Sequence, residues 1–256
     1  MSNIGLKDSV QSQFNQAAAN YSTSPIHASG PDLAEMVKVA QLQGHEQLLD
    51  AGCGAGHTAL TFAPHVAHVI AVDLAESMLA QGRRLAAERG IQNLEFRPGD
   101  VEKLPFEDDS FDVITSRYSA HHWPNPQRAL EEFRRVLRPN GLLLIGDIVS
   151  FEEFTLDTYF QTVELLRDPS HVRDHTEKQW LEMLTQAGFQ ADVPHRWEVF
   201  IDFASWIKRI NTPEQNAAMI RTLLANAPAE VKSAFKVQPD SSLTMQAALL
   251  RAIPNP

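Results

Sequence analysis

Three carboxylates set the terms of any chemistry this chain could do: Asp50, Asp73 and Asp100, each closing or following an extended apolar run. Asp50 ends Gln47-Leu48-Leu49 and is followed by Gly52, Gly54 and Gly56, three glycines at alternate positions. Glycine lets a backbone pass beneath a ligand with no Cβ in the way and tolerates positive φ. A plain turn would need no more than this. With three carboxylates on one edge, however, the stretch becomes one wall of a site for a ligand with several hydrogen-bond donors. A dinucleotide would favour the spacing G-x-G-x-x-G and a helix N-terminus for its pyrophosphate. A carboxylate as near as Asp50 repels a pyrophosphate and suits an ammonium or sulfonium group.

A second set of reactive side chains follows. Arg117, Tyr118, His121 and His122 lie in one short segment, and His171 and Arg173 lie in another. An imidazole near neutral pKa can take up a proton, and an arginine can grip a carboxylate or phenolate through two N–H groups. The plainer alternatives are that the adjacent histidines cap a helix or bond within the core, and that Arg173 pairs with Asp168 or Asp174. His171 and His175 are four apart but lack the glutamate of H-E-x-x-H, and His65 and His68 are unaccompanied, so no catalytic metal is expected. Cys53, the only cysteine, reads as a small packing residue and permits neither an intrachain disulfide nor a cysteine metal cluster.

The elements that must position these residues alternate. Strands are expected over 47–50, 68–73, 94–97, 111–116 and 142–149, with helices over 58–63, 75–89 and 127–137 between them. Pro139-Asn140-Gly141 should stop the last of these helices. Strands and helices in this rhythm form βαβ units, hence a mostly parallel sheet covered on both faces, with ligands beyond the carboxyl ends of the strands. Past Ser150 the pattern changes to a mixed segment over 151–174, a helix opened by the capping box Thr176 to Gln179, a strand over 195–202, helical material over 203–237 and a last strand over 243–253. That last strand should return to the sheet as an edge strand. A helix over 31–41 precedes the core, and residues 1–30, with Phe14, Tyr21 and Ile26 among polar neighbours, form either a flexible tail or a lid over a pocket.

Composition narrows the classes. With 256 residues, 43% hydrophobic and 21% charged, the chain suits one globular domain, and its net charge of −10 opposes binding of nucleic acid through phosphate neutralisation. No run approaches the roughly 18 apolar residues of a membrane span, and the polar first residues do not read as a signal peptide, so a cytoplasmic protein is expected.

The motifs together resemble those of the class I S-adenosylmethionine-dependent methyltransferases, and within them the type 11 group that includes the ubiquinone and menaquinone biosynthesis methyltransferases. The resemblance rests on Asp50 to Gly56, on Asp73, on Gly99-Asp100-Val101-Glu102-Lys103-Leu104-Pro105-Phe106 with Asp109-Ser110-Phe111-Asp112, and on Arg135-Val136-Leu137-Arg138-Pro139-Asn140-Gly141. It covers roughly residues 47–189, and Asn140 stands where the family usually has glycine. It implies a Rossmann-like, doubly wound sheet of seven strands, mostly parallel with an antiparallel edge strand, carrying an N-terminal lid and helical insertions. The division it implies within one domain is a lid over 1–40, a cofactor-binding core over 41–150, substrate-covering insertions over 151–175 and 203–237, and the last strand over 243–253.

Carried over by position, the resemblance implies S-adenosyl-L-methionine as cofactor and S-adenosyl-L-homocysteine as product. Gly52, Gly54 and Gly56 would floor the methionine part, and Asp50 would help hold it. Asp73 would accept from both ribose hydroxyls, Leu74 and Met78 would pack on the adenine, Asp100 would accept from its amino group, and the Val101 backbone would meet its edge. Arg117 joins this cofactor set, while Tyr118 and Tyr21 are assigned to the acceptor. His121 and His122, then His171 and Arg173, are the catalytic candidates, since the segment after the fourth strand of this fold faces the transferred methyl. The expected activity is methyl transfer to oxygen or carbon of a small, partly apolar acceptor, by a monomer or homodimer with no nucleic-acid partner. The rivals are an NAD-type dehydrogenase and a non-catalytic regulatory protein that keeps the cofactor fold.

Overall fold

β1 (Gln47–Ala51) is an apolar strand buried along almost its whole length, pairing in parallel with β2 (His68–Asp73) on one side and β4 (Phe111–Arg117) on the other. In the computed structural model, which describes residues 5–22 and 28–255, this strand is the third in a seven-stranded sheet, beside the central strand β4. Ile26 lies outside the described residues. β3 (Leu94–Pro98) flanks β2, and the order is β3-β2-β1-β4-β5-β7-β6, with β5 (Leu137–Val149), β6 (Phe189–Ile201) and β7 (Leu243–Pro254). The order reverses between β1 and β4, so the loops leaving those two strands diverge and open a crevice.

The sheet has the expected number of strands and is mostly parallel. Its antiparallel strand is β7, which sits one place in from the edge and pairs with both β5 and β6. Burial explains the placement: β7 is covered on both faces through Leu243, Met245 and residues 247–250, whereas β6 alternates buried residues with exposed Asp192, Arg196 and Glu198. Charged residues on an edge strand discourage pairing with another chain.

Alternating side chains feed the two faces of the sheet. Leu48, Val113 and Leu144 meet Met36, Leu60 and Leu79 from α2 (Pro31–Ala40), α3 (His57–Phe62) and α4 (Glu76–Glu88). Leu49, Ile114 and Ile145 meet Leu130, Phe133 and Trp180 from α5 (Pro126–Val136) and α7 (Glu177–Gln186). Phe133 is fully buried, edge-on to Trp123 at 5.5 Å; emptying such a position costs about 3–5 kcal/mol. Asn125 caps α5, and Thr176 with Gln179 forms the expected capping box on α7. The expected stop at Pro139 to Gly141 is not where α5 ends. The helix closes at Val136 and β5 starts at Leu137, whose pairing with Phe111 draws the Pro139 to Gly141 stretch into the strand.

The segments flanking β6 form a third packed layer. α6 (Phe154–Arg167), α8 (Phe203–Arg209), α9 (Glu214–Ala225) and α10 (Ala229–Ala234) bury Phe160, Val163, Trp206, Ile220, Val231 and Phe235 together beside Ile148 and Met245. α1 (Leu6–Ser22) lies against α4 and reaches α8, where Asn20 Nδ2 donates to the Arg209 carbonyl at 3.1 Å and Gln13 Nε2 to that of Ile210 at 2.8 Å. Among the described residues no helix is long and apolar enough to cross a membrane.

Candidate active site

The loops beyond β1, β2, β3 and β4 line a cavity whose empty space, open mouth included, is about 940 Å³. Gly52, Gly54, Asp73, Leu74, Met78, Asp100 and Val101 all border it. The loop after β1 turns through positive φ at Gly52, Gly54 and Gly56. At Gly52 a Cβ would collide with the Ser119 hydroxyl, whereas at Gly54 it would meet no protein atom within 4 Å. Gly54 therefore keeps open a space that belongs to the cavity. Asp73 fixes that loop: its Oδ2 accepts from Gly54 N at 2.8 Å and its Oδ1 from Ala75 N at 2.8 Å. Each oxygen retains a second lone pair.

Two of the expected floor residues act from behind the cavity. Asp50 is buried and does not border it; Oδ2 accepts from Ala59 N at 3.0 Å and Oδ1 from the Thr115 hydroxyl at 2.9 Å, which ties the glycine loop to α3 and β4. Burial raises its pKa to about 7 despite those two donors. Gly56 is a packing position, because a Cβ there would strike the Phe96 ring.

α1 closes the mouth with Lys7, Val10, Phe14 and Tyr21. Lys7 Nζ lies 2.6 Å from Asp100 Oδ2 and 2.6 Å from Glu102 Oε2. Arg117 forms a buried ion pair with Asp32 at the start of α2, and its guanidinium lies 4.4 Å from the Tyr118 ring centroid. Tyr118 has φ +50 and its hydroxyl accepts from Trp197 Nε1 at 3.0 Å. A left-handed tyrosine costs on the order of 1–3 kcal/mol. It turns the chain sharply into the segment carrying the histidines.

A second cavity, about 500 Å³ of empty space with its opening included, adjoins the first and shares Phe14, Tyr21, Tyr118 and His122 with it. His121 borders only this second space, with Glu164, Arg167, Trp206 and Arg209. Tyr21 and His121 thus line one cavity, while Arg173 does not border either one. Its Nη2 is 2.7 Å from Asp157 Oδ2, a partner outside the two carboxylates weighed from sequence, and this pairing turns it away. His171 is also outside both linings; it is buried, with Nε2 3.1 Å from Gln161 Oε1. The catalytic candidates therefore divide, with His121 and His122 at the cavities and His171 and Arg173 behind them.

The histidines share a cluster but not a charge. Ring centroids are 4.3 Å apart for His121 and His122 and 5.9 Å apart for His121 and His171. Asp147, on β5, lies 2.8 Å from His121 Nδ1 and also accepts from Ser119 N and Ala120 N. Burial opposes a charge on His121, but the Asp147 carboxylate prevails and raises its pKa to about 9. Burial and then the His121 charge lower His122 to about 4 and His171 to about 2. One imidazolium and two neutral rings result. His122 Nδ1 faces the Ser170 carbonyl at 3.1 Å; a neutral ring donating there leaves Nε2 as an acceptor. Asp168 lies 3.9 Å from that nitrogen, but with His122 neutral the two are not an ion pair.

The same cluster offers metal-donor groupings that sequence spacing did not suggest. His121, Asp147 and Asp174 form one, and Glu164, His171 and Asp174 another, each with ligand atoms within 4.8 Å of one another. Also missed were Asp147, Asp32, Lys7, Arg167 and Arg209. The only local signal was for Asp147, an acidic residue interrupting the apolar run of β5.

Comparisons with known proteins agree on a family. A model of the methyltransferase domain matches residues 49–145. The uncharacterized methyltransferase YcgJ of Bacillus subtilis is 38% identical over 225 residues, spanning 88% of this chain and 89% of its own length. The uncharacterized protein YafE of Escherichia coli is 36% identical over 202 residues, 79% of this chain and 98% of its own. The crystal structure of YcgJ aligns with a TM-score of 0.84 at 36% identity, over 88% of this chain and 98% of that one.

Proposed function

The chain belongs to the class I S-adenosylmethionine-dependent methyltransferases of type 11, and from that premise we propose that it methylates an oxygen or carbon of a small, partly apolar acceptor held in the second cavity. The observation that carries this reading is the pair of adjoining cavities, one walled by glycines and strand-end carboxylates and the other by aromatic, aliphatic and histidine side chains.

The first cavity suits the donor. Gly52 and Gly54 leave bare backbone for close approach, and Gly54 has room on its Cα for a ligand rather than for a side chain. The lone pairs of Asp73 not used by Gly54 N and Ala75 N can accept from vicinal hydroxyls, and Leu74 and Met78 offer an apolar surface. Asp100 can accept from an exocyclic amine once Lys7 shares or yields its Oδ2. Bound there, S-adenosylmethionine supplies a methyl group already activated on a sulfonium.

What the protein adds is alignment and exclusion of water. Phe14, Tyr21, Tyr118 and His122 form the wall between donor and acceptor. His122, neutral and with Nε2 available, is the side chain that can receive a proton from the acceptor. His121, held cationic by Asp147, cannot serve as a base at neutral pH and instead stabilises negative charge on the acceptor. A base with a pKa of about 4 works only on an acceptor that is itself acidic. The single cysteine is consistent with a reducing, cytoplasmic setting, and the net charge of −10 favours small-molecule over nucleic-acid acceptors.

A thermal-shift titration tests the reading. S-adenosylmethionine and S-adenosylhomocysteine should each raise the melting temperature, and NAD should not. A shift with NAD alone would revive a dehydrogenase and end this proposal.

A further inference from the structure

The second cavity carries charge that the transfer of a methyl group does not itself require. Its apolar wall comprises Phe14, Ile148, Val199, Ile201, Trp206 and Met245. Into the same space face two guanidinium groups, Arg167 from the last turn of α6 and Arg209 from the last turn of α8. Arg167 is buried, and its Nε has no hydrogen-bond partner. Its Nη2 reaches the Tyr21 hydroxyl only at 3.4 Å, its Nη1 is 3.9 Å from Asp168, and its face lies 5.2 Å from the Trp206 ring centroid. Among the described residues no carboxylate lies within ion-pair distance of the Arg209 guanidinium, while its backbone carbonyl is fixed by Asn20. Burial lowers the Arg209 pKa, with Arg167 adding to the effect.

An arginine is costly to bury without a counter-ion, and two side by side cost more. The lining itself holds one carboxylate, Glu164, against these two guanidinium groups. Behind it Asp147 already matches the His121 imidazolium and Asp168 stands 3.9 Å from Arg167, so among the described residues the cation left without an ion pair is Arg209. Burial raises the Glu164 pKa, which weakens it as a counter-ion. Resting on the methyltransferase reading above, we infer that the acceptor has an apolar body and one carboxylate, and that Arg167 and Arg209 bind the carboxylate while the body lies along Trp206 and Met245 towards His122. A monoanion fits better than a phosphate dianion, because Glu164 faces the same space. The arginines then make the charge-assisted bonds that orient the acceptor. The Arg209 guanidinium, which has no ion pair among the described residues, also favours ionisation of an acidic hydroxyl or carbon acid in this cavity, which compensates for the weakness of His122 as a base.

The test is a calorimetric panel on the full chain loaded with S-adenosylhomocysteine. Aromatic and aliphatic carboxylates of increasing length are each paired with their own carboxamide, and phosphate monoesters of the same bodies form a third arm. At least one carboxylate should bind tenfold or more tightly than its carboxamide and its phosphate counterpart. Arg209→Gln, at a half-buried position, should abolish that preference while leaving S-adenosylhomocysteine affinity unchanged, and Arg167→Gln should do the same if it folds. Equal affinity for acids and amides, stronger binding of the phosphate esters, no binding of any carboxylate, or a preference that survives Arg209→Gln would overturn the inference. Each of those results leaves the donor reading intact. Failure of the protein to bind S-adenosylhomocysteine would instead refute the methyltransferase reading.

Discussion

His121 and His122 are neighbours in sequence with nearly opposite electrostatics, and the cause lies on another strand. Asp147 accepts from two backbone amides of the preceding turn and from His121, so the charge settles on that ring and is excluded from the next. Sequence could nominate both histidines as bases, but it could not distinguish them, because Asp147 is 26 residues from His121. The pairing has a consequence for stability. The folded pKa of His121 is about 9 against an ordinary 6.5, so the native state binds the extra proton between those values. Its contribution is complete below pH 6.5 and is lost as pH rises through about 9. Urea denaturation should show wild type losing on the order of 1–3 kcal/mol over that interval relative to His121→Asn. Parallel pH profiles for the two proteins would contradict the assignment of the charge. Arg173 marks the limit of reading a residue by its near neighbours. Asp168 and Asp174 were the obvious partners, yet helix α6 presents Asp157, and the arginine turns from the site to meet it.

At the scale of elements, the first cavity is legible in the sequence because its wall is local. An apolar strand ending in a carboxylate and a glycine turn can be recognised within ten residues, and Asp73 and Asp100 repeat the strand-end theme. The second cavity is not legible in this way, since Arg167 and Arg209 come from helices of different segments and converge only through packing around Trp206 and Phe160. α1 is the element that joins the two sides. It places Lys7 at one end of the first cavity and Phe14 and Tyr21 between the two, and is tied to α8 through Asn20 and Gln13. Lys7 occupies an oxygen of Asp100 that the proposed donor's amine would use, so α1 in this position would compete with that ligand. The ion pair is about one-third exposed on each side, which limits its strength to roughly 1 kcal/mol or less. Lys7→Ala should therefore bind S-adenosylhomocysteine about two- to fivefold more tightly, by calorimetry. Weaker binding would make Lys7 a contact to the ligand, not a competitor for Asp100.

For the molecule as a whole, strand order does the decisive work. Reversal between β1 and β4 opens the crevice, parallel strands bring Asp73 and the loop carrying Asp100 to one edge, and β7 inserts between β5 and β6 to anchor the helices that wall the second cavity. The alternation of strands and helices predicted the sheet. The position of β7 inside the edge follows from the burial of both its faces, a property that appears only once the helical layer is folded over it. Asp73 is the residue on which the account most depends, since it fixes the glycine loop and, in the proposed donor site, would accept from the ribose hydroxyls. The most direct test is calorimetric titration of S-adenosylhomocysteine into wild type and Asp73→Ala, with folding of each checked by circular dichroism. Saturable one-site binding in wild type, weakened at least tenfold in a folded Asp73→Ala protein, is the predicted result; unchanged affinity in that variant would contradict the placement of the methyl donor in this cavity.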